Sequence, residues 1–381
     1  MDALILSCST GGGHNAAANA VREAMERLGH HATVMDLYRL AGHDLDRKVG
    51  NSYVKIAQRT PRLFGVIYKL GDEVRKIPGH SPVYAINKPM RKKVQAFLET
   101  HRYDVVLMTH PFPGEILAYA KKKGVPVPPR IYIATDYVCT PFTEETGCEA
   151  YITPAQVLNR DFIRRGIPEE RLFPAGIPVR QAFSQAISRE EAIAALGLDP
   201  GKRYLLLSGG SIGGGLIQRT MAVLTSYMEA HPDSHLIVIC GNNRRLLETA
   251  QALYGEDPHV TLLGTTDRMA LYMKASDAFL SKPGGLSSTE AAVSGTPLIH
   301  ISPIPGCENM NMSFFQSHGM SLAAGDQLDR LPKMLDSLRD PAVVSRMQTN
   351  QRAYTNPHAA EDICHLAERM VGAADDPSAG V

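Results

Sequence analysis

The sequence predicts an α/β protein made of two parallel-sheet halves, and three observations lead there. Continuous apolar runs of strand length alternate with stretches whose apolar residues recur at helical spacing, as expected when strands are buried on both faces. Each half opens with a strand, a glycine-rich turn and a helix in immediate succession. The length of 381 residues supplies about two domains at roughly 100–200 residues each.

The first half begins with the buried strand Ala3–Cys8, then a small-residue loop. A helix follows over Asn15–Leu28, where Ala18, Val21, Ala24, Met25 and Leu28 recur at helical spacing. Ala32–Leu37, Val105–Thr109 and Arg130–Ala134 read as further strands, with a helix over Glu115–Lys123. After Leu198-Asp199-Pro200-Gly201 the rhythm restarts with strand Tyr204–Leu207, loop Gly209–Gly215 and helix Leu216–Glu229. Strands Leu236–Cys240, Val260–Leu263, Ala278–Ser281 and Leu298–Ile301 follow, and a last helix is expected over Ala359–Val371. The expected division is 1–178, 179–356, a helix 357–371 packing back on the first domain, and a tail 372–381.

Composition narrows the class. Hydrophobic residues at 44% and charged residues at 21% exclude a disordered or coiled-coil chain. No apolar run approaches the ~18–20 residues of a membrane span, and the first run is too short for a signal peptide. Cysteines 8, 139, 148, 240, 307 and 364 are scattered without zinc or C-x-x-C spacing, which fits a reducing cytosol.

Three glycine-rich turns join a strand to a helix, where backbone N–H groups and the helix dipole favour an anion. They are Ser9–His14, Ser208–Gly215 and Ser281–Glu290. Any one of them also reads as a tight turn and nothing more, and none has Walker A or full G-x-G-x-x-G spacing. Their joint placement at strand ends in both halves points to ligands bound outside the carboxyl ends of the sheets, in a cleft between the domains. Glu290, one turn into its helix, suits ribose hydroxyls, or simply the helix dipole. His14, directly after three glycines, and Asp136, at the end of the Arg130 strand, are candidate bases. The bland alternatives are a structural histidine and a turn-capping aspartate. Thr109-His110-Pro111-Phe112-Pro113 reads as a cleft-lining segment or a proline-stiffened loop.

The net charge of +1 hides a segregation. Residues 47–93 hold twelve Lys and Arg against Asp72 and Glu73, a charge of +10, while the rest holds 28 cations against 37 carboxylates, −9. Tyr53, Phe64, Ile67, Tyr68 and Tyr84 interleave with the cations. That mixture suits an anionic membrane, at about 1 kcal/mol per cation near the headgroups, with Lys55, Arg59, Arg62, Phe64, Tyr68, Lys69, Arg75 and Lys76 facing it. A solvated basic face is the alternative. No nucleic-acid-binding motif accompanies the charges, so no nucleic-acid partner is expected.

In order along the chain stand Gly11-Gly12-Gly13-His14-Asn15-Ala16-Ala17, Thr109-His110-Pro111-Phe112-Pro113, Thr135-Asp136-Tyr137, Gly176-Ile177-Pro178-Val179, Ser281-Lys282-Pro283-Gly284-Gly285-Leu286-Ser287 and Pro303-Ile304-Pro305-Gly306. Together they resemble the monogalactosyldiacylglycerol synthase and processive diacylglycerol glucosyltransferase family, relatives of the peptidoglycan N-acetylglucosaminyltransferase, over about residues 3–370. The resemblance implies a GT-B fold, two Rossmann-like domains facing a central cleft, with the acceptor on the N-terminal domain and the nucleotide-sugar on the C-terminal one. It implies metal-independent, inverting transfer of a hexose from UDP-glucose or UDP-galactose to diacylglycerol or a related membrane lipid. It also implies no cofactor, and peripheral attachment to the inner face of the cell membrane.

Carried onto this sequence, the resemblance gives Glu290 to the ribose and Thr266 to the uracil. The diphosphate falls to Gly209, Gly210, Ser211, Gly213, Gly214, Gly284, Gly285, Leu286, Ser287 and Ser288, and the donor sugar to Glu308, Asn309 and Asn311. Gly12, Gly13, His110 and Pro111 would line the acceptor side, with Asp136 preferred as base and His14 as a contact to the acceptor or lipid phosphate. Two departures bear on sugar and acceptor identity: Cys307-Glu308 where many relatives have Gln-Glu, and Tyr137–Phe142 where many carry an aromatic and a histidine. Two other readings use the same features. One is an epimerase of this fold that turns over nucleotide-sugar without an acceptor; the other is a non-catalytic, membrane-docking nucleotide-sugar binder.

Overall fold

All strand pairs among the described residues are parallel, as the uninterrupted apolar runs require. The computed structural model describes residues 1–8, 12–41, 90–210 and 216–375. The chain forms two units, Met1–Gln181 with His358–Val381, and Ala182–Pro357.

The first unit holds β1 (Asp2–Ser7), β2 (His31–Asp36), β3 (Val105–Met108), β4 (Arg130–Ile133), β5 (Ala150–Ile152) and β6 (Leu172–Phe173), in the order β2-β1-β3-β4-β5-β6. Helix α1 (Gly12–Arg27) leaves β1 and α2 (Pro111–Lys122) leaves β3. The second unit holds β7 (Arg203–Ser208), β8 (Ser234–Ile239), β9 (Val260–Leu263), β10 (Ala278–Ser281), β11 (Leu298–Ile301) and β12 (Leu322–Gly325), in the order β12-β11-β10-β7-β8-β9. Here α3 (Ile217–Ala230) follows β7, α4 (Gly285–Val293) follows β10 and α5 (Cys307–Ser317) follows β11. The strand order reverses between β1 and β3 in one sheet and between β7 and β10 in the other. At such a switch point the helices leave on opposite faces and open a crevice at the strand ends.

The C-terminal helix α6 (Ala359–Asp375) belongs to the first unit. Ile363, Cys364 and Ala367 are fully buried in the same core as Ala18, Val21 and Met25 of α1. Glu368 also bonds His30 Nε2 at 2.7 Å. The helix runs four residues past its expected end: Gly372 costs about 1 kcal/mol relative to alanine, and the following Ala373-Ala374 carry the helix on to Asp375.

Three strands escaped the sequence reading. Ala150–Ile152, Leu172–Phe173 and Leu322–Gly325 span two to four residues, too few for a periodicity to register. The proline-stiffened loop is also corrected. Pro111 and Pro113 lie in the first turn of α2, where a missing N–H costs no helical bond, so the helix starts four residues earlier than expected. Likewise α1 starts at Gly12, which puts Gly13 and His14 in its first turn.

Of the basic segment, only Arg91, Lys92 and Lys93 lie on described residues, at the start of the helix Arg91–Thr100. Lys55, Arg59, Arg62, Phe64, Tyr68, Lys69, Arg75 and Lys76 lie outside the described residues, as do Ser211, Gly213 and Gly214. No described helix is long and apolar enough to cross a membrane.

Candidate functional site

In the first unit the switch point gathers His14 from α1, Thr109 and His110 from the end of β3, and Thr135 and Asp136 from the end of β4. His14 Nδ1 lies 2.7 Å from the Thr109 carbonyl oxygen and 3.0 Å from Thr135 Oγ1. A carbonyl only accepts, so Nδ1 carries the proton and the neutral ring leaves Nε2 as a bare acceptor. Burial lowers the pKa of His14, opposed first by the negative charge of Asp136 and then by the Thr109 bond. Near neutral pH the imidazole is therefore an unprotonated base with a carboxylate close enough to favour its cation.

His110 packs edge-on against His14, with ring centroids 4.7 Å apart. Its Nδ1 accepts from the Phe112 N–H at 3.2 Å and so caps α2. Burial, and then the neighbouring His14, hold its pKa well below the ordinary value. This cap fixes the direction of Pro111 and the helix behind it. Gly12 and Gly13 supply first-turn N–H groups that have no intrahelical acceptor. The departure after Asp136 turns inward: Tyr137 and Cys139 are 2% and 1% exposed, and burial pushes the Cys139 thiol up to about 12.

In the second unit Gly209 and Gly210 follow β7, and Gly210 has φ +72°, a conformation that favours glycine. Gly284 caps α4 with an ordinary φ of −67° and ψ of 136°, and a Cβ built there meets nothing within 4 Å. Neither backbone strain nor crowding calls for glycine at 284. The first-turn N–H groups of Gly285, Leu286 and Ser287 have no intrahelical acceptor, whereas that of Ser288 donates to the Gly284 carbonyl at 3.0 Å. Glu290 is half-buried on the same helix. Thr266 sits beyond β9, its hydroxyl accepting from the Arg268 N–H at 3.0 Å.

Three residues assigned to the donor have protein partners of their own. Ser288 is 1% exposed with its hydroxyl 2.9 Å from His300 Nε2, so it holds the helix to the sheet. Asn311 is fully buried and donates to the Pro283 carbonyl at 3.0 Å, because its place one turn into α5 points it at the loop and not outward to a sugar. Glu308 is engaged on both oxygens, by Lys282 Nζ at 3.3 Å and the Ile304 N–H at 2.6 Å. It ties the β10–α4 loop to the β11–α5 loop. Asn309 is exposed. Sequence reasoning missed Thr109 and Thr135 as the partners that set the His14 tautomer, and His300 and Ser302 as the partners of Ser288 and Leu216. Lys282 stood inside a quoted motif without a role.

The sequence profile described as monogalactosyldiacylglycerol (MGDG) synthase matches residues 14–179, and that of the glycosyltransferase family 28 C-terminal domain matches residues 204–360. A protein named processive diacylglycerol beta-glucosyltransferase from Bacillus subtilis (strain 168) is 24% identical over 373 residues, covering 96% of each chain. One of the same name from Staphylococcus carnosus (strain TM300) is 25% identical over 378 residues, covering 96% of this chain and 93% of the other. Among solved structures, Acinetobacter baumannii MurG aligns with a TM-score of 0.62 at 15% identity, covering 97% and 99% of the two chains. Staphylococcus aureus MnaA, solved with UDP, aligns at 0.68 and 12% identity, covering 99% and 98%. These structural likenesses establish the fold, the two-unit GT-B arrangement of parallel sheets.

Proposed function

The chain belongs to the family that joins a monogalactosyldiacylglycerol synthase domain to a glycosyltransferase family 28 C-terminal domain, and on that premise we propose that it moves a hexose from a UDP-sugar to diacylglycerol or a similar membrane lipid. The observation that carries the proposal is the committed tautomer of His14, which presents a bare Nε2 at the switch point of the first unit. An acceptor hydroxyl donates its proton to that nitrogen while its oxygen attacks C1 of the sugar. The C1–O bond to the diphosphate breaks, UDP departs with the electron pair, and the configuration at C1 inverts. Asp136 steadies the imidazolium so formed. The preference that sequence alone gave to Asp136 as base is thereby reversed.

The α4 N-terminus supplies positive potential for the departing diphosphate. That is the support for a reaction without a metal ion. Glu290 takes the ribose. The basic segment 47–93 supports attachment to the inner membrane face.

Incubating the protein with UDP-glucose or UDP-galactose and diacylglycerol vesicles tests the reading. The expected product is a β-glycolipid from the α-linked donor; failure with both donors across several lipid alcohols refutes it. Turnover of UDP-sugar without acceptor would favour an epimerase instead. Cosedimentation with anionic vesicles that survives neutralising Lys55, Arg59, Arg62, Lys69, Arg75 and Lys76 removes the membrane assignment.

A further inference from the structure

The end of β11 carries polar groups where a buried parallel strand ordinarily carries aliphatic ones. His300 is fully buried, with Nε2 2.9 Å from Ser288 Oγ and Nδ1 3.1 Å from Ser321 Oγ. Its ring packs edge-on against Phe315, centroids 5.3 Å apart. Burial pushes its pKa down to about 3, so the ring is neutral and its two bonds are hydrogen bonds between neutral groups. Two residues on, Ser302 holds φ +46°, one of two described non-glycine residues at positive φ. Its N–H donates to the Gly325 carbonyl at 2.9 Å, and its hydroxyl accepts from the Leu216 N–H at 3.3 Å. Between these positions the pairing of β11 with β12 shifts register, an irregularity of the kind that re-aims side chains.

His300 therefore grips α4 in its first turn, and Ser302 grips Leu216, the residue just before α3, so the two helices flanking the switch point are pinned to the end of one strand. An aliphatic contact would let either helix slide or rotate; a buried hydrogen bond permits one pose. A buried, hydrogen-bonded histidine and its two serines gain little over an apolar core, and a residue at positive φ costs stability outright. What they fix is the direction of the first-turn N–H groups.

We propose that His300 and Ser302 are positioning residues: through Ser288 and Leu216 they aim the helix N-termini at the diphosphate as charge develops on it. The proposal rests on the transferase reading, and deepens it. Aim matters most where charge is greatest, so it separates UDP, which carries the full leaving-group charge, from the UDP-sugar.

The test compares His300→Phe, His300→Gln and Ser302→Gly, the last being at ease at positive φ. Binding of UDP and of the UDP-sugar is measured by calorimetry, and glycolipid synthesis by kcat and KM. For His300→Phe and Ser302→Gly, UDP affinity and kcat are expected to fall about tenfold while KM for the UDP-sugar moves less than about threefold. His300→Gln, which keeps an amide near Ser288, is expected to recover to within about threefold of wild type. A folded His300→Phe that binds UDP like wild type overturns the proposal, as does a lowered Tm with both affinities unchanged. If His300→Phe does not fold, Ser302→Gly alone decides. A wild-type protein that binds UDP but makes no glycolipid refutes the transferase reading, and the UDP comparison still judges the positioning.

Discussion

Gly284→Ala isolates ligand approach from folding. At φ −67° and ψ 136° alanine is unstrained, and its Cβ meets nothing within 4 Å. Stiffening the unfolded chain contributes about 0.4–1 kcal/mol, while alanine is a poorer helix cap than glycine by a similar amount. The two offset to within about 0.5 kcal/mol, which moves Tm by roughly 2 °C at most for a unit of this size. The new methyl group adds bulk at the residue that caps α4, beside the proposed diphosphate site. Displacing the diphosphate from one charge-assisted N–H bond costs about 1.5–3 kcal/mol, a loss of roughly 10- to 150-fold in affinity. Calorimetry with UDP measures the affinity, and a thermal melt the stability. A folded Gly284→Ala whose UDP affinity stays within about twofold of wild type would refute the placement of the diphosphate.

His14→Asn is expected to lower kcat by about 10²–10⁴. Because burial lowers the pKa of His14, the acid limb of the wild-type kcat/KM profile should lie below ~6.5, and Asp136→Asn should move it lower still; an unmoved limb removes Asp136 from that role. Glu290→Gln should weaken UDP binding by roughly 10- to 100-fold, a loss that disappears when 2′-deoxy-UDP is compared. His300 binds its proton far more weakly folded than unfolded, so its contribution to stability is complete above pH ~6.5 and is lost as pH falls towards about 3. Stability should fall by up to about 1.4 kcal/mol per pH unit in that window for this one group. In His300→Phe the slope should be shallower by one proton, as read by chemical unfolding at several pH values.

The parallel architecture was legible because most of its strands are buried along their length and so read as largely apolar runs. Val260–Leu263, Ala278–Ser281 and Leu298–Ile301 were placed to the residue. Helix starts were harder. Pro111 reads as a breaker until His110 is seen to cap the turn, and a capping histidine has no sequence signature. The glycine turns marked where anions bind, but not which nearby polar side chains face the ligand. Ser288 and Asn311 occupy plausible positions in sequence, and helix rotation turns both inward. His300 sits in a run that reads as an aliphatic strand, and only its neighbours in space give it a purpose.

Helix α6 also sets the order in which the chain can be completed. Domains usually finish folding from the N-terminus as they leave the ribosome. Here residues 182–357 emerge whole while the first unit still lacks Ile363, Cys364, Leu366 and Ala367. During synthesis the part of α1 that packs against Ile363, Cys364 and Ala367 stays uncovered until those residues emerge, so the nascent chain needs protection at that surface. A premature stop near residue 357 would spare the sheet that begins at Arg203 and unseat the helix that carries His14. On the proposed function, a chimera meant to exchange nucleotide specificity should replace 182–357 and keep 358–375 with the first unit.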